Sequence, residues 1–380
     1  MPRLRPSLFW RAGQISPLAA KLLRACRDLP SSLNELRWIR EHLSLSPLTT
    51  SVNAENPKAL LRLQQLCERR AKGVPLQYVL GNQPFGNLEI KCRPGVLIPR
   101  PETEAYTVEL ARIILAERRS RTQPSSSGEG TQQTSMNVVD FCSGSGCIAL
   151  QLYSSLQPTC PSLRVLGLDI SPKAISLARE NLRHNIHLNK LPHHNTQQST
   201  HFRQADLFSE DHIEKTLTDQ KWDVMISNPP YISHKFFAQQ TSRSVRNYEP
   251  KLALVPGRHL QKHPDHLGMG ARYNCAPEDV FYARLLEIAK TLKPRRILLE
   301  VGDEEQAVRV VTIVCQDAML SRLYTDVEIW RDEPHPAFQR RRIGSSGVGG
   351  ESEGGPGRGR QIRIRGSGEG RSVYLCQGDE

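Results

Sequence analysis

Apolar residues fall three and four positions apart through the first part of the chain. Leu18, Leu22 and Leu23, then Leu33, Leu36, Ile39 and Leu43, then Leu60, Leu61, Leu63 and Leu66 each line one face of a helix. The spacing predicts a small helical bundle over residues 16–70, closing near Ala71-Lys72-Gly73. Short apolar runs follow in Pro75-Leu76-Gln77-Tyr78-Val79-Leu80-Gly81 and Phe85-Gly86-Asn87-Leu88-Glu89-Ile90, a hairpin pattern. The segment GVLIPRPETE, Gly95 to Glu104, then leads into a helix that starts at Glu102 or Thr103 and runs to Arg118.

Beyond residue 135 strand-like and helix-like stretches alternate, which predicts an α/β fold with a parallel sheet. Strands are expected at 137–141, 164–169, 201–207, 222–228, 296–301 and 326–330, and helices near 146–155, 172–185, 277–291 and 304–318. Residues 361–365 and 372–376 are expected to close the sheet as a hairpin strand. Four polar or glycine-rich stretches, near 120–135, 187–200, 259–275 and 344–370, read as disordered insertions. The expected division is a helical domain at 1–80, a hairpin linker at 81–98 and an α/β domain at 99–380.

Charge and cysteine usage narrow the class. The net charge of +12 suits an acidic partner such as RNA or a ribonucleoprotein, and equally a mitochondrial matrix protein. The nine cysteines include no C-x-x-C pair, so neither a metal site nor a disulfide framework is expected, and a reducing compartment is. No apolar stretch is long enough for a membrane span. The N-terminus is basic and has no acid before Asp28, the composition of a mitochondrial presequence, although Pro2 and Pro6 weaken the helix such a segment forms. The competing reading is a basic first helix of the folded protein, with a cytoplasmic location.

The chemistry gathers where strands end. The first α/β strand runs into Asp140-Phe141-Cys142-Ser143-Gly144-Ser145-Gly146, a glycine turn of the kind that lets a ligand approach backbone closely. A carboxylate in front of that turn repels a pyrophosphate and favours a cation. S-adenosylmethionine carries a sulfonium and an ammonium, so it fits Asp140 better than NAD does. The second strand ends in Asp169-Ile170, placed to accept from ribose hydroxyls, and Asp169 is also positioned to cap the helix after Pro172. The third ends in Asp206-Leu207, placed for an adenine amino group and ring. The fourth ends in Asn228-Pro229-Pro230-Tyr231. Two prolines remove two donors and fix φ, so pairing stops there. The Asn228 oxygen and a neighbouring carbonyl can accept both hydrogens of a planar –NH2, and Tyr231 offers a ring to a flat group. Ligands collect outside the carboxyl ends of such strands, so the four motifs are expected in one crevice.

With these residues in view the chain resembles the HemK/PrmC family, which methylates a glutamine amide in peptide-chain release factors. Asp140 to Leu150, GVLIPRPETE, Tyr248-Glu249-Pro250-Lys251-Leu252-Ala253-Leu254 and Glu300-Val301-Gly302 all match. Cys142 departs from the pattern where glycine is frequent, and is expected to contribute backbone rather than freedom of φ. The insertions and the basic N-terminus resemble the fungal mitochondrial branch. The resemblance implies a Rossmann-like, seven-stranded S-adenosylmethionine-dependent methyltransferase sheet behind a small helical domain that binds the release factor. It implies a protein partner, indirect contact with the ribosome, no membrane and no specific nucleic acid.

An amide nitrogen is a poor nucleophile, so the expected mechanism is positioning rather than prior deprotonation. Asn228 Oδ1 and the Pro229 carbonyl would accept the two N–H bonds, Tyr231 would pack on the carboxamide, and no general base is expected. The same tetrapeptide suits an exocyclic adenine amine, so an adenine methyltransferase acting on DNA or RNA is the main alternative. A non-catalytic ribosome-associated module is the other.

Overall fold

The runs Val138-Val139-Asp140-Phe141 and Val224-Met225-Ile226-Ser227 are almost entirely buried, which requires helices on both faces of their sheet. The computed structural model describes residues 4–44, 57–122, 135–217, 219–257, 273, 275–343 and 360–378. It contains a hairpin, β1 (Asn82–Phe85) and β2 (Leu88–Lys91), and seven further strands. These are β3 (Met136–Phe141), β4 (Leu163–Asp169), β5 (Gln198–Gln204), β6 (Val224–Ser227), β7 (Arg296–Glu300), β8 (Asp326–Ile343) and β9 (Arg360–Cys376). The seven form one sheet in the order β5-β4-β3-β6-β7-β9-β8. Strands β3 to β7 run parallel to one another, and β9 runs antiparallel to β7. Chain order reverses between β3 and β6, and a crevice opens at such a point beyond the carboxyl ends.

Both faces are covered. Val139, Phe141, Met225, Ile297 and Leu299 share a core with Leu285 and Ile288 of helix Val280–Leu292 and Val310 and Val314 of helix Glu304–Gln316. Val138, Val224, Ile226 and Leu298 share the other with Leu110 and Ile114 of helix Pro101–Thr122 and Leu150 and Leu152 of helix Cys147–Leu156.

Two compact units divide the chain. The smaller comprises Met1–Gln83, Lys91–Ile98 and Thr241–Glu249, the larger Pro84–Ile90, Pro99–Gln240 and Pro250–Glu380. In the smaller unit helices Pro17–Cys26, Leu29–Ser44 and Pro57–Ala71 enclose Leu22, Leu36, Ile39, Leu63 and Leu66. Arg70 holds Glu35 through two hydrogen bonds of 2.6 and 2.9 Å. The basic N-terminus is a helix as well, Pro6–Ile15, with Ala12 fully buried.

The boundary at residue 80 is corrected by this division. Residues 91–98 and 241–249 fold with the helices because side chains tie them there. Tyr78 donates to the Val96 carbonyl (2.6 Å), Ser244 to the Gly73 carbonyl (3.0 Å), and Ile98 N–H to Glu249 (3.1 Å). Such cross-chain hydrogen bonds leave no local signature in sequence.

Two of the four expected insertions are also corrected. The stretch 187–200 ends in β5, which begins at Gln198 rather than at 201. Its polar residues satisfy backbone: Asn195 Oδ1 accepts from the Gln197 and Gln198 amides at 2.8 and 2.7 Å, and Gln198 Nε2 donates to the Cys160 carbonyl at 2.7 Å. The stretch 344–370 overlaps β9, where Ile362 and Ile364 are buried at alternate positions between arginines. Strand β9 pairs with β8 in three stretches. Its end lies against residues 326–330, and its beginning against residues 338–343 and also 328–330. Most of the insertions expected at 259–275 and at 120–135, and residues 344–359, lie outside the described residues.

Candidate active site

Strand β3 delivers Asp140 into the middle of the sheet, opposite Gly167 of β4 and Ile226 of β6. Its carboxyl is fully buried. The Ala149 amide gives some relief, but neither oxygen makes a hydrogen bond of ordinary geometry. Burial therefore pushes its pKa well above the carboxylate range, and the charge of Asp169 adds to the effect. A buried acid without partners is costly. It fits a ligand that brings donors or a positive charge.

The turn after β3 is left-handed at three positions, Cys142 (φ 58°), Gly144 (φ 54°) and Gly146 (φ 81°). The expectation for Cys142 is corrected here, because it adopts the glycine-like conformation despite its side chain. Such a conformation costs an L-residue about 1–2 kcal/mol. Gly146 has a second reason to lack a side chain: a Cβ there would lie 2.8 Å from the Phe202 ring. Ser143 and Ser145 are buried, and the Ser143 hydroxyl has no partner among the described residues.

Asp169 ends β4 and braces this turn. Its Oδ2 accepts from the Gly144 amide and its Oδ1 from the Ser171 amide, both at 2.8 Å. Each oxygen keeps a lone pair for a further donor. The helix-capping part is corrected, because the Ser171 hydroxyl, not Asp169, accepts from Ala174 at the start of helix Pro172–His187. Ile170 is 42 % exposed. Beyond β5, Asp206 Oδ1 accepts from the Phe208 amide at 2.9 Å. Leu207 is buried in the core and its carbonyl accepts from Arg284 at 2.8 Å. Burial pushes up the pKa of the Cys142 thiol, and the charges of Asp169, Asp140 and Asp206 add to the effect.

Strand β6 ends at Ser227, whose hydroxyl donates to the Phe141 carbonyl at 2.9 Å, and pairing stops at Pro229 and Pro230, both buried. Asn228 Nδ2 points to Thr103 Oγ1 at 3.5 Å. Among the described residues, neither Asn228 Oδ1 nor the Pro229 carbonyl has a hydrogen-bond donor. Two acceptors are therefore left at the strand end. Thr103 donates onward to Glu300 Oε2 at 2.7 Å, Tyr106 donates to the same oxygen at 2.6 Å, and the Tyr231 hydroxyl donates to Oε1 at 3.1 Å. Glu300, at the end of β7, is buried and its pKa is raised by that burial, while the three hydroxyls act to lower it. The Tyr231 carbonyl accepts from Gln306 Nε2 at 3.2 Å, and Gln306 is held in turn by Asp279 at 2.8 Å. Gly302 lies against the Tyr231 ring, 3.1 Å from a would-be Cβ.

Sequence reasoning did not assign Thr103, Tyr106, Glu300 and Gln306 to this site. Thr103 and Glu300 both fall in matched segments, and Glu300 carries the one available signal, an acid ending an otherwise apolar strand. Among the described residues no cluster of His, Cys, Asp and Glu could hold a metal.

A family model described as a methyltransferase domain matches residues 132–340. The mitochondrial MRF1 N(5)-glutamine methyltransferase of Saccharomyces cerevisiae is 31% identical over 326 residues, covering 86% of this chain and 84% of that one. A probable MRF1 mitochondrial N(5)-glutamine methyltransferase of Schizosaccharomyces pombe is 35% identical over 256 residues (67% and 73%). A release factor glutamine methyltransferase of Geobacter sulfurreducens is 35% identical over 258 residues (67% and 74%).

Proposed function

This chain belongs to the release factor glutamine methyltransferases, and from that premise we propose how its site works and where. It methylates the side-chain amide of a release-factor glutamine. The glutamine is that of the Gly-Gly-Gln motif in a mitochondrial release factor, in the matrix, where the methyl group supports translation termination.

S-adenosylmethionine, when bound, supplies a methyl group on a positively charged sulfur. The residues fit it: Asp140 is a buried acid whose oxygens make no hydrogen bond of ordinary geometry, and Asp169 holds a turn that carries no bulky side chain at Gly144 and Gly146. Asp140 receives the cationic portion, Asp169 the ribose hydroxyls and Asp206 the adenine amine. Cys142, Ser143 and Ser145 contribute backbone.

The observation that carries the reading is the pair of acceptors beside Asn228. Asn228 Oδ1 and the Pro229 carbonyl take the two hydrogens of the substrate amide and fix the direction of its nitrogen. Thr103 holds the other end of the Asn228 carboxamide, so the oxygen faces the substrate. Tyr231 packs on the flat amide while Glu300 and Gln306 hold its hydroxyl and carbonyl. Positioning of this kind contributes several kcal/mol to a rate. No residue acts as a base, since the nitrogen becomes acidic only once methylated.

The test is a choice of acceptor. The protein is incubated with methyl-labelled S-adenosylmethionine and either a release-factor domain containing Gly-Gly-Gln or duplex DNA. Label on the glutamine supports the reading. Label on DNA alone would replace it with an adenine methyltransferase.

A further inference from the structure

Strand β5 is the outer edge of the sheet, with β4 on one side only. Exposed edges invite pairing with other chains unless their polar groups are covered. Here side chains cover them. Arg179 donates Nε and Nη2 to the Phe202 carbonyl at 3.1 and 2.7 Å, and the Thr200 amide donates to His194 Nε2 at 3.2 Å.

Three adjoining cavities of about 440, 370 and 440 Å³ surround this edge. The first two share Arg179 and Arg183, and the last two share His194, His201 and Arg203. Arg164 lines the third. Among the described residues no Asp or Glu lines any of them. Arg164 lies opposite Ser199 in the ladder, so it shares a face with His201 and Arg203. Arg179 and Arg183 stand one helical turn apart on helix Pro172–His187. Arg164, Arg183 and Arg203 are exposed and form no salt bridge among the described residues. The rings of Tyr153, His194 and His201 follow one another edge to face, with centroids 5.9 and 5.6 Å apart. Burial and the charges of Arg203 and Arg164 depress the pKa of His201.

Four arginines therefore converge on three connected hollows without an acid to answer them, on the flank of the sheet away from Asn228. We propose that the β5 edge binds the phosphodiester backbone of RNA, a second site separate from the methyl-transfer site. Arginine forks match phosphate oxygens. Connected hollows suit an anion that repeats along a chain. His194 and His201 provide rings between the arginines on which bases can lie. An acidic peptide would answer the arginines but would bring no base to lie on those rings.

The test uses the full chain and a fluorescein-labelled, mixed-sequence single-stranded RNA, read by anisotropy across a salt series. The variant is Arg164→Gln/Arg183→Gln/Arg203→Gln. Its RNA affinity is expected to fall at least about tenfold, with the slope of log affinity against log salt reduced by about 2, since each lost phosphate contact removes about 0.7. Methylation of a Gly-Gly-Gln domain should be unchanged, which also reports an intact fold. A control variant removes three exposed arginines elsewhere, Arg322→Gln/Arg340→Gln/Arg342→Gln. An equal loss in that control overturns the proposal, because net charge then explains it. Unchanged RNA binding in the first variant overturns it too. So does labelled polyglutamate binding more tightly than RNA at these residues, which would make the partner an acidic protein.

Discussion

The Tyr231 hydroxyl donates to Glu300 Oε1 at 3.1 Å, while Thr103, which holds Asn228, donates to Oε2 of the same carboxylate at 2.7 Å. One buried acid thus orients both polar side chains of the tetrapeptide. Replacing it with glutamine keeps the volume but sets an –NH2 against a hydroxyl donor. A buried polar group left unsatisfied costs about 1–3 kcal/mol. Glu300→Gln should lower kcat about tenfold to a hundredfold and leave the dissociation constant for S-adenosylmethionine unchanged. A variant that loses donor affinity while keeping kcat would make Glu300 structural only.

Asp140 links donor binding to stability. Its folded pKa lies above its unfolded value near 4. The folded state therefore holds that proton more tightly, and the stability this contributes is complete below about pH 4. It is lost as pH rises through the folded pKa. Asp140→Asn removes the loss. Thermal denaturation of the ligand-free variant at neutral pH should give a higher Tm than the parent, with a smaller decline above pH 4. Calorimetry should show that the same variant no longer binds S-adenosylmethionine. A lower Tm at neutral pH would mean that the carboxylate is satisfied in the free protein.

The two glycines of the turn should respond differently to alanine. Gly144 has φ 54°, and a would-be Cβ there meets only the Cys142 carbonyl oxygen at 4.0 Å, an ordinary contact, so Gly144→Ala carries backbone strain of about 1–2 kcal/mol and little else. Gly146 has φ 81° and would press a methyl group onto Phe202 at 2.8 Å and Ala178 at 3.0 Å. Overpacking adds about 1–3 kcal/mol. Urea denaturation should therefore rank Gly146→Ala well below Gly144→Ala, and equal stabilities would remove the packing argument.

The crevice was readable in the sequence because each part of it is local. Asp140, Gly144, Asp169 and Asn228 sit where an apolar run meets a turn, Asp206 follows the more polar β5, and the parallel register gathers such ends on one edge of the sheet. What holds them was not readable. Glu300 reaches Thr103 and Tyr106 across nearly two hundred residues. The ties that fold residues 241–249 with the helices span comparable distances along the chain. Strand β9 was only partly legible, since Ile362 and Ile364 alternate with arginines whose partners, Glu328 and Glu109, come from elsewhere.

The most direct test of the account is the fate of the glutamine when Asn228 is shortened. Asn228→Ala removes one of the two acceptors and leaves Asp140, Asp169 and Asp206 in place. Mass spectrometry of a Gly-Gly-Gln release-factor domain should show one methyl group on the glutamine with the parent protein and none with the variant, while calorimetry finds S-adenosylmethionine still bound. Full methylation by Asn228→Ala would contradict the claim that this carboxamide positions the substrate.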